Sequence, residues 1–158
     1  MAGTNEMGSV EGQLVGLPLA GPETFTIQQL AYLKRALGLD ETDLISTSKE
    51  LSNGATFQLS ESIANFEKVK IFCARNPSAN AVECNELYVG ANYYFVKSSF
   101  IDNGTLIIDN AMLSISGTTV TVNAILRKLF ASTTFSTATN APMTVTKIVG
   151  VHRIAGGN

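Results

Sequence analysis

His152, Cys73 and Cys84 are the only imidazole and thiol groups in this 158-residue chain. A catalytic pair needs a thiol within hydrogen-bond reach of a base that a third group orients. His152 sits in "VGVHRI", which has the pattern of a strand, and nothing near it in the sequence supplies the rest of such a device. The two cysteines are eleven residues apart and have one histidine to share, which does not match the spacing of a structural zinc site. "DNGTLIIDN" places Asp102, Asn103, Asp109 and Asn110 at the two ends of a short apolar run. These could offer oxygen ligands, but no twelve-residue loop closes on a bidentate Glu, and turn formation explains them more simply. Glu61 and Glu67 flank a polar bend. Paired carboxylates for sugar hydrolysis must converge to about 5–10 Å in a cleft, and no aromatic cleft pattern accompanies them. Tyr88, Tyr93 and Tyr94, with Asn85 and Asn92, supply flat faces and amides. Tyr88, Asn92, Tyr93 and Tyr94 are therefore the candidate ligand surface, for a glycan, against the plainer reading of edge aromatics with their hydroxyls at a rim. No catalytic residue, metal or cofactor is expected. "NGT" at 103–105 fits a glycosylation acceptor, but an Asn-Gly turn accounts for it.

Composition narrows the partners. The formal charge is −2, and the 11 Lys and Arg residues form no stripe, so no nucleic-acid backbone is expected as a partner. No stretch approaches the ~20 apolar residues of a membrane span, and the acidic, Gly-rich start lacks the basic region of a secretory signal. Hydrophobic residues reach 45% while charged residues are 15%, below the usual quarter or so. Much of the polar surface must be Ser, Thr and Asn, which suits a protein docked in an assembly and equally a monomer with a mild Thr-rich sheet surface.

Three stretches must position these groups. Residues 1–24, with Pro18 and Pro22, form an extended arm whose apolar part is "GQLVGLPLAG". Residues 25–39, "FTIQQLAYLKRALGL", predict the one strong helix. Thr26 is its N-cap, Gln29 its capping-box partner, and Phe25 and Leu30 a hydrophobic staple. Gly38 offers a left-handed stop. Leu14, Val15, Leu17, Leu19, Leu30, Leu33 and Leu37 are the candidate attachment residues. The expected division is an arm and helix over 1–54, ending in a polar connector, then a β domain over 55–158. From residue 55 strand signals repeat. Val69, Ile71 and Cys73 alternate with Lys68, Lys70 and Phe72, and Val120 and Val122 alternate with Thr119, Thr121 and Asn123. "RNPSAN", "GAN", "DNG" and "SGT" mark turns or bends, and "STATNAP" a polar loop. About seven short strands with no helical pattern between them predict an all-β fold, an antiparallel β-sandwich, jelly-roll-like in outline. Its edges carry few protecting charges beyond Arg127 and Lys128, so subunit packing is expected to cover them.

The order of these pieces resembles the β-sandwich domains of bacteriophage tail fibres and other virion appendages. "FQLSESIANFEKVKIFCAR" (57–75) carries the strand–bend–strand pattern through Leu59, Ser60, Ser62, Asn65, Phe66, Val69 and Ile71. "ISGTTVTV" (115–122) and the closing "VTKIVGVHRI" (145–154) follow in the same order. The resemblance covers residues 57–154. It implies a non-enzymatic virion structural protein made in the host cytoplasm: a small capsid decoration, head-fibre or tail-tip component. It also implies a homo-oligomer, with a trimer favoured, and other virion proteins as partners. The alternative it leaves is a receptor- or carbohydrate-binding module meeting a host-surface glycan. A short chain with an arm and one helix departs from long-shafted fibres. In the motif itself, Ser60, Ser62 and Asn65 are expected to satisfy backbone groups at the bend, and Phe66 to close the end of the core.

Overall fold

The computed structural model describes residues 26–37, 39–79, 81–130, 135–139 and 142–154, with the backbone alone in 135–139. The chain divides into two units, residues 1–41 and 42–158. The first contains helix α1 (Ile27–Ala36). Its start follows the expected capping box. The Gln29 amide N–H donates to Thr26 Oγ1 at 3.2 Å, and the Thr26 N–H donates to Gln29 Oε1 at 2.9 Å. Two of the orphan N–H groups of a helix start are thereby satisfied. Lys34 and Arg35 occupy the last turn, where the helix dipole favours cations. Phe25 and Gly38 lie outside the described residues.

The second unit is an all-β, antiparallel β-sandwich. One sheet is built from β1 (Glu41–Asp43), β2 (Lys49–Leu51), β4 (Phe66–Ala74), β5 (Glu83–Tyr88) and β10 (Met143–Arg153). Its order is β1-β10-β4-β5, with β2 also on β10. The other sheet is built from β3 (Thr56–Gln58), β6 (Tyr94–Asp102), β7 (Thr105–Ser116), β8 (Thr119–Phe130) and β9 (Phe135–Thr139). Its order is β3-β8-β7-β6, with β9 also on β8. Thus β4–β5 is a hairpin, β6 to β9 run as a meander, and β10 returns to the first sheet between its short strands and β4.

The alternation read from the sequence places the core. Val69, Ile71 and Cys73 of β4 are buried, as are Val120 and Val122 of β8, Val96 of β6, Leu113 of β7, and Val145 and Ile148 of β10. Phe66 closes one end, as expected, and stacks where Gly150 leaves room. A Cβ at Gly150 would stand 2.6 Å from the Phe66 ring. The "DNG" turn joins β6 to β7 as a two-residue hairpin, with Asn103 at φ 49° and Gly104 at φ 75°. That left-handed pair is what Asn-Gly supplies at least cost. At the bend before β4, the Ser60 hydroxyl donates to the Asp43 carbonyl and Ser62 Oγ accepts from the Ala64 N–H, each at 3.3 Å.

Three expectations change. The sandwich begins near residue 42 rather than at 55. The stretch expected as a polar connector holds β1 and β2, and Leu44 and Leu51 within it are buried. Three-residue strands are too short to show a period, and here a long neighbour, β10, forms them by pairing. The strands number ten among the described residues rather than about seven. The third change is β9, which takes up the start of the "STATNAP" loop and pairs with β8 from Leu126 to Phe130.

Candidate functional site

The tyrosine surface lies at the end of the sandwich where β5 gives way to β6. Tyr88 ends β5 and is 74% exposed, with the Lys68 ammonium 4.9 Å from its ring centre. Asn92 and Tyr93 follow in the connecting loop and are also exposed. Tyr94 leaves this set. The first residue of β6, it is only 3% exposed, and its hydroxyl accepts the Gly90 N–H at 3.1 Å. Strand alternation turns it into the core, so it offers no flat face to a ligand. Asn85, the other amide weighed, is spent at the seam between the sheets. Its Nδ2 donates to the Lys97 carbonyl at 3.1 Å, and its Oδ1 accepts the Lys97 N–H at 3.0 Å. An amide side chain thus takes the place of a ladder partner on the outer edge of β6. Beside it Glu83 accepts from the Ser99 N–H at 3.0 Å and pairs with Lys97 at 2.9 Å. Burial raises the Glu83 carboxyl, but the bonds from Lys97 and Ser99 outweigh it and the net shift is downward.

Of the attachment residues, Leu30 and Leu37 on or next to α1 are exposed and Leu33 is half-buried. Leu14, Val15, Leu17 and Leu19 lie outside the described residues.

The groups weighed for chemistry are taken up by structure. Cys73 points into the core, where burial pushes its thiol up to about 12, so it holds no thiolate at neutral pH. Cys84 is exposed and stands in register with Phe72, on the face opposite to Cys73, and the two cysteines form no disulfide. His152 Nδ1 is 3.5 Å from Glu67. Glu61 is clasped by both terminal nitrogens of Arg153 and by Asn65 Nδ2 at 2.7 Å. These hydrogen bonds, from Arg153 first and then Asn65, lower its carboxyl to about 2, which leaves no proton to donate as an acid near neutrality. Asp102 pairs with Arg75 at 3.3 Å, while Asp109 turns inward and Asn110 outward on β7. The four oxygen-bearing groups of "DNGTLIIDN" therefore do not converge, and no group of three metal-ligating side chains occurs among the described residues.

Two features escaped the sequence reading. The first is a charged pair inside the sandwich. Asp109 is 0% exposed, and both its oxygens are held by Arg127, Nε–Oδ1 and Nη2–Oδ2 each at 2.7 Å. The carboxylate's hydrogen bonds drive the guanidinium still further toward its charged form. A bulge creates the pair. The two-residue turn at 117–118 alone would put Arg127 opposite Ile108, on the outer face. One extra residue in β8, Asn123, shifts the register between Met112 and Leu113 and turns Arg127 inward. The Asn53 side chain steadies the bulge by accepting the Ile125 N–H at 2.8 Å. Phe100 lies beside the pair, with the Arg75 guanidinium 4.9 Å from its ring centre. A shallow cavity of about 300 Å³ opens there, lined by Arg75, Asn76, Ser98 and Phe100.

The second feature is the outer face of the meander sheet. Four rows cross β6, β7 and β8 in register: Phe95–Met112–Ala124, Lys97–Asn110–Leu126, Ser99–Ile108–Lys128 and Ile101–Leu106–Phe130. Phe95 is 66% exposed and Ile101 76%, and Leu106 and Phe130 are also exposed. The rows contain two lysines and no carboxylate. Apart from Asp109 inside and Asn110 outside, both faces of "TLIIDNAML" are apolar, and the inner one meets the other sheet. No family model matches the chain and no curated protein matches its sequence, so this face and the tyrosine surface are read from their own residues.

Proposed function

We propose that this chain is a non-enzymatic structural component of a virus particle, a small capsid decoration, head-fibre or tail-tip protein. In this reading it attaches through its N-terminal region, displays the sandwich and works as a homo-oligomer beside other virion proteins. The observation that carries the reading is the way side chains are spent. Asp109, Glu61 and Glu83 are committed to arginine, lysine and backbone partners that hold strands in place, whereas large apolar groups such as Phe95 and Ile101 stand in water. Groups that could react are used as struts, and groups that could make contact are left available. In the strand–bend–strand stretch Ser60 and Ser62 bond backbone groups and Phe66 is buried, whereas Asn65 donates to the Glu61 carboxylate.

The test is particle composition. Particles purified from producing cells should contain the chain in fixed copy number, and removal of residues 1–24 should leave the sandwich folded while lowering incorporation. Absence of the chain from particles would end the proposal, and full incorporation of the shortened chain would end the attachment role.

A second reading has one observation in its favour, the exposure of Tyr88 and Tyr93 beside Asn92 and Lys68. It makes that end a glycan-binding surface on the same particle. Glycan retention should then disappear in a Tyr88→Ala/Tyr93→Ala variant that still folds, and a glycan array without signal would remove it.

A further inference from the structure

Exposed aromatic and aliphatic side chains on the outer face of a sheet are unfavourable unless something covers them. On β6–β8 they form one continuous field, edged by Lys97 and Lys128. We propose that a second copy of this chain docks on this field, outer sheet against outer sheet, about a twofold axis running along β7. The inference goes beyond a role in particles and holds whether or not the chain belongs to one.

The arrangement of the face favours this occupant. A twofold axis along β7 lays β6 of one protomer over β8 of the other, row on the same row. Phe95, a large exposed group, then faces the partner's Ala124, a small exposed one. Ile101 faces the partner's Phe130, so apolar meets apolar at the far row. The lysines do not meet. Lys97 lies over the partner's Leu126, and Lys128 over the partner's Ser99, each able to lay its methylene stem on the contact and keep its ammonium at the rim. Like charges set directly opposite would forbid a self-contact, and this pattern avoids them while leaving no acid stranded inside. The aligned packing angle between two sheets, roughly 30°, blurs the outer rows more than the central ones.

Size sets the strength. Strand spacing and rise give four rows on three strands an area of about 400 Å² a side. That is below the ~800 Å² per partner of a stable complex. The contact is therefore concentration-dependent, and cooperates with any other attachment instead of replacing it.

The experiment is sedimentation of the full chain from about 1 µM to several hundred µM, the range in which a contact of this size associates. The wild type should pass from monomer to dimer. Phe95→Ser/Ile101→Ser should weaken association at least tenfold with an unchanged circular dichroism spectrum. Tyr88→Ser, on the other sheet, should leave association unchanged. Ala124→Arg, at an exposed small position, carries the same prediction should the double variant fail to fold. A monomer at every concentration, a trimer, association that survives both face variants, or equal loss in Tyr88→Ser would each overturn the proposal.

Discussion

On the outer face of the first sheet, charged groups meet solvent and the aliphatic ones at its centre are hidden, with Tyr88 exposed at the β5 edge. Lys68 and Glu86 pair at 2.7 Å, Lys70 stands beside them, and Val149 and Val151, in register with Lys70 and Lys68, are buried. On the outer face of the meander sheet the order is reversed, with Phe95 and Ile101 exposed and few charges near them. The inner faces of the two sheets do the same job, since Val69, Ile71 and Ile148 on one side meet Val96, Leu113 and Val122 on the other. Folding needs only the inner faces to agree. The difference between the outer ones is not required by the fold, and it is the difference that the proposed docking of a second copy would use.

Substitutions can break or sharpen that contrast. The largest loss is expected inside the meander sheet. Asp109→Ala takes both carboxylate partners from the half-buried Arg127 guanidinium and should cost about 3 kcal/mol in a denaturant titration. A change near zero would mean that the bulge at Asn123 does not fix the sheet's inner face. In the first sheet, Gly150→Ala puts a methyl group into the Phe66 ring and should cost about 1–3 kcal/mol by overpacking, read as a lower thermal midpoint. At the seam joining the sheets, Asn85→Ala leaves the Lys97 N–H and carbonyl without their partner and should cost about 1–2 kcal/mol. It should also speed hydrogen exchange at Lys97 over its neighbours on β7. The Glu61–Arg153 clasp should appear in acid. The folded carboxyl titrates near 2, against 4.5 for the unperturbed group. Its stabilisation is complete above about 4.5 and fades as the pH falls toward about 2, and Glu61→Gln should remove that part of the acid profile. The smallest effect belongs to the charged outer face. Glu86→Gln, at an exposed ion pair, should leave the denaturation midpoint unchanged within error.

Some of this contrast is visible in the sequence. Period-2 alternation at Val69, Ile71 and Cys73 and at Val120 and Val122 assigns inner residues directly, and Asn103-Gly104 sets the β6–β7 register. The helix start at Thr26 was equally legible, because a capping box is local. What depended on distant pairing was not. The strands β1 and β2 exist because β10 offers them an edge, and β9 because β8 does. The Asp109–Arg127 pair depends on one extra residue in β8, and nothing in "TVTVNAILRK" marks Asn123 as the bulge. Tyr94 fell among the surface tyrosines because three aromatics in a short span say nothing of which side of the strand each takes. The apolar outer face was present in "TLIIDNAML" as Leu106, Ile108 and Met112 at alternate positions, but its meaning required knowing that only one face of the strand is covered.

Hydroxyl-radical footprinting of the full chain at low and high concentration tests most directly whether the molecule works through the outer face of its meander sheet. Protection should rise at Phe95, Ile101 and Met112 as concentration rises, while Tyr88 on the first sheet stays equally reactive. Unchanged reactivity at the first three, or protection that centres on Tyr88, would contradict the account.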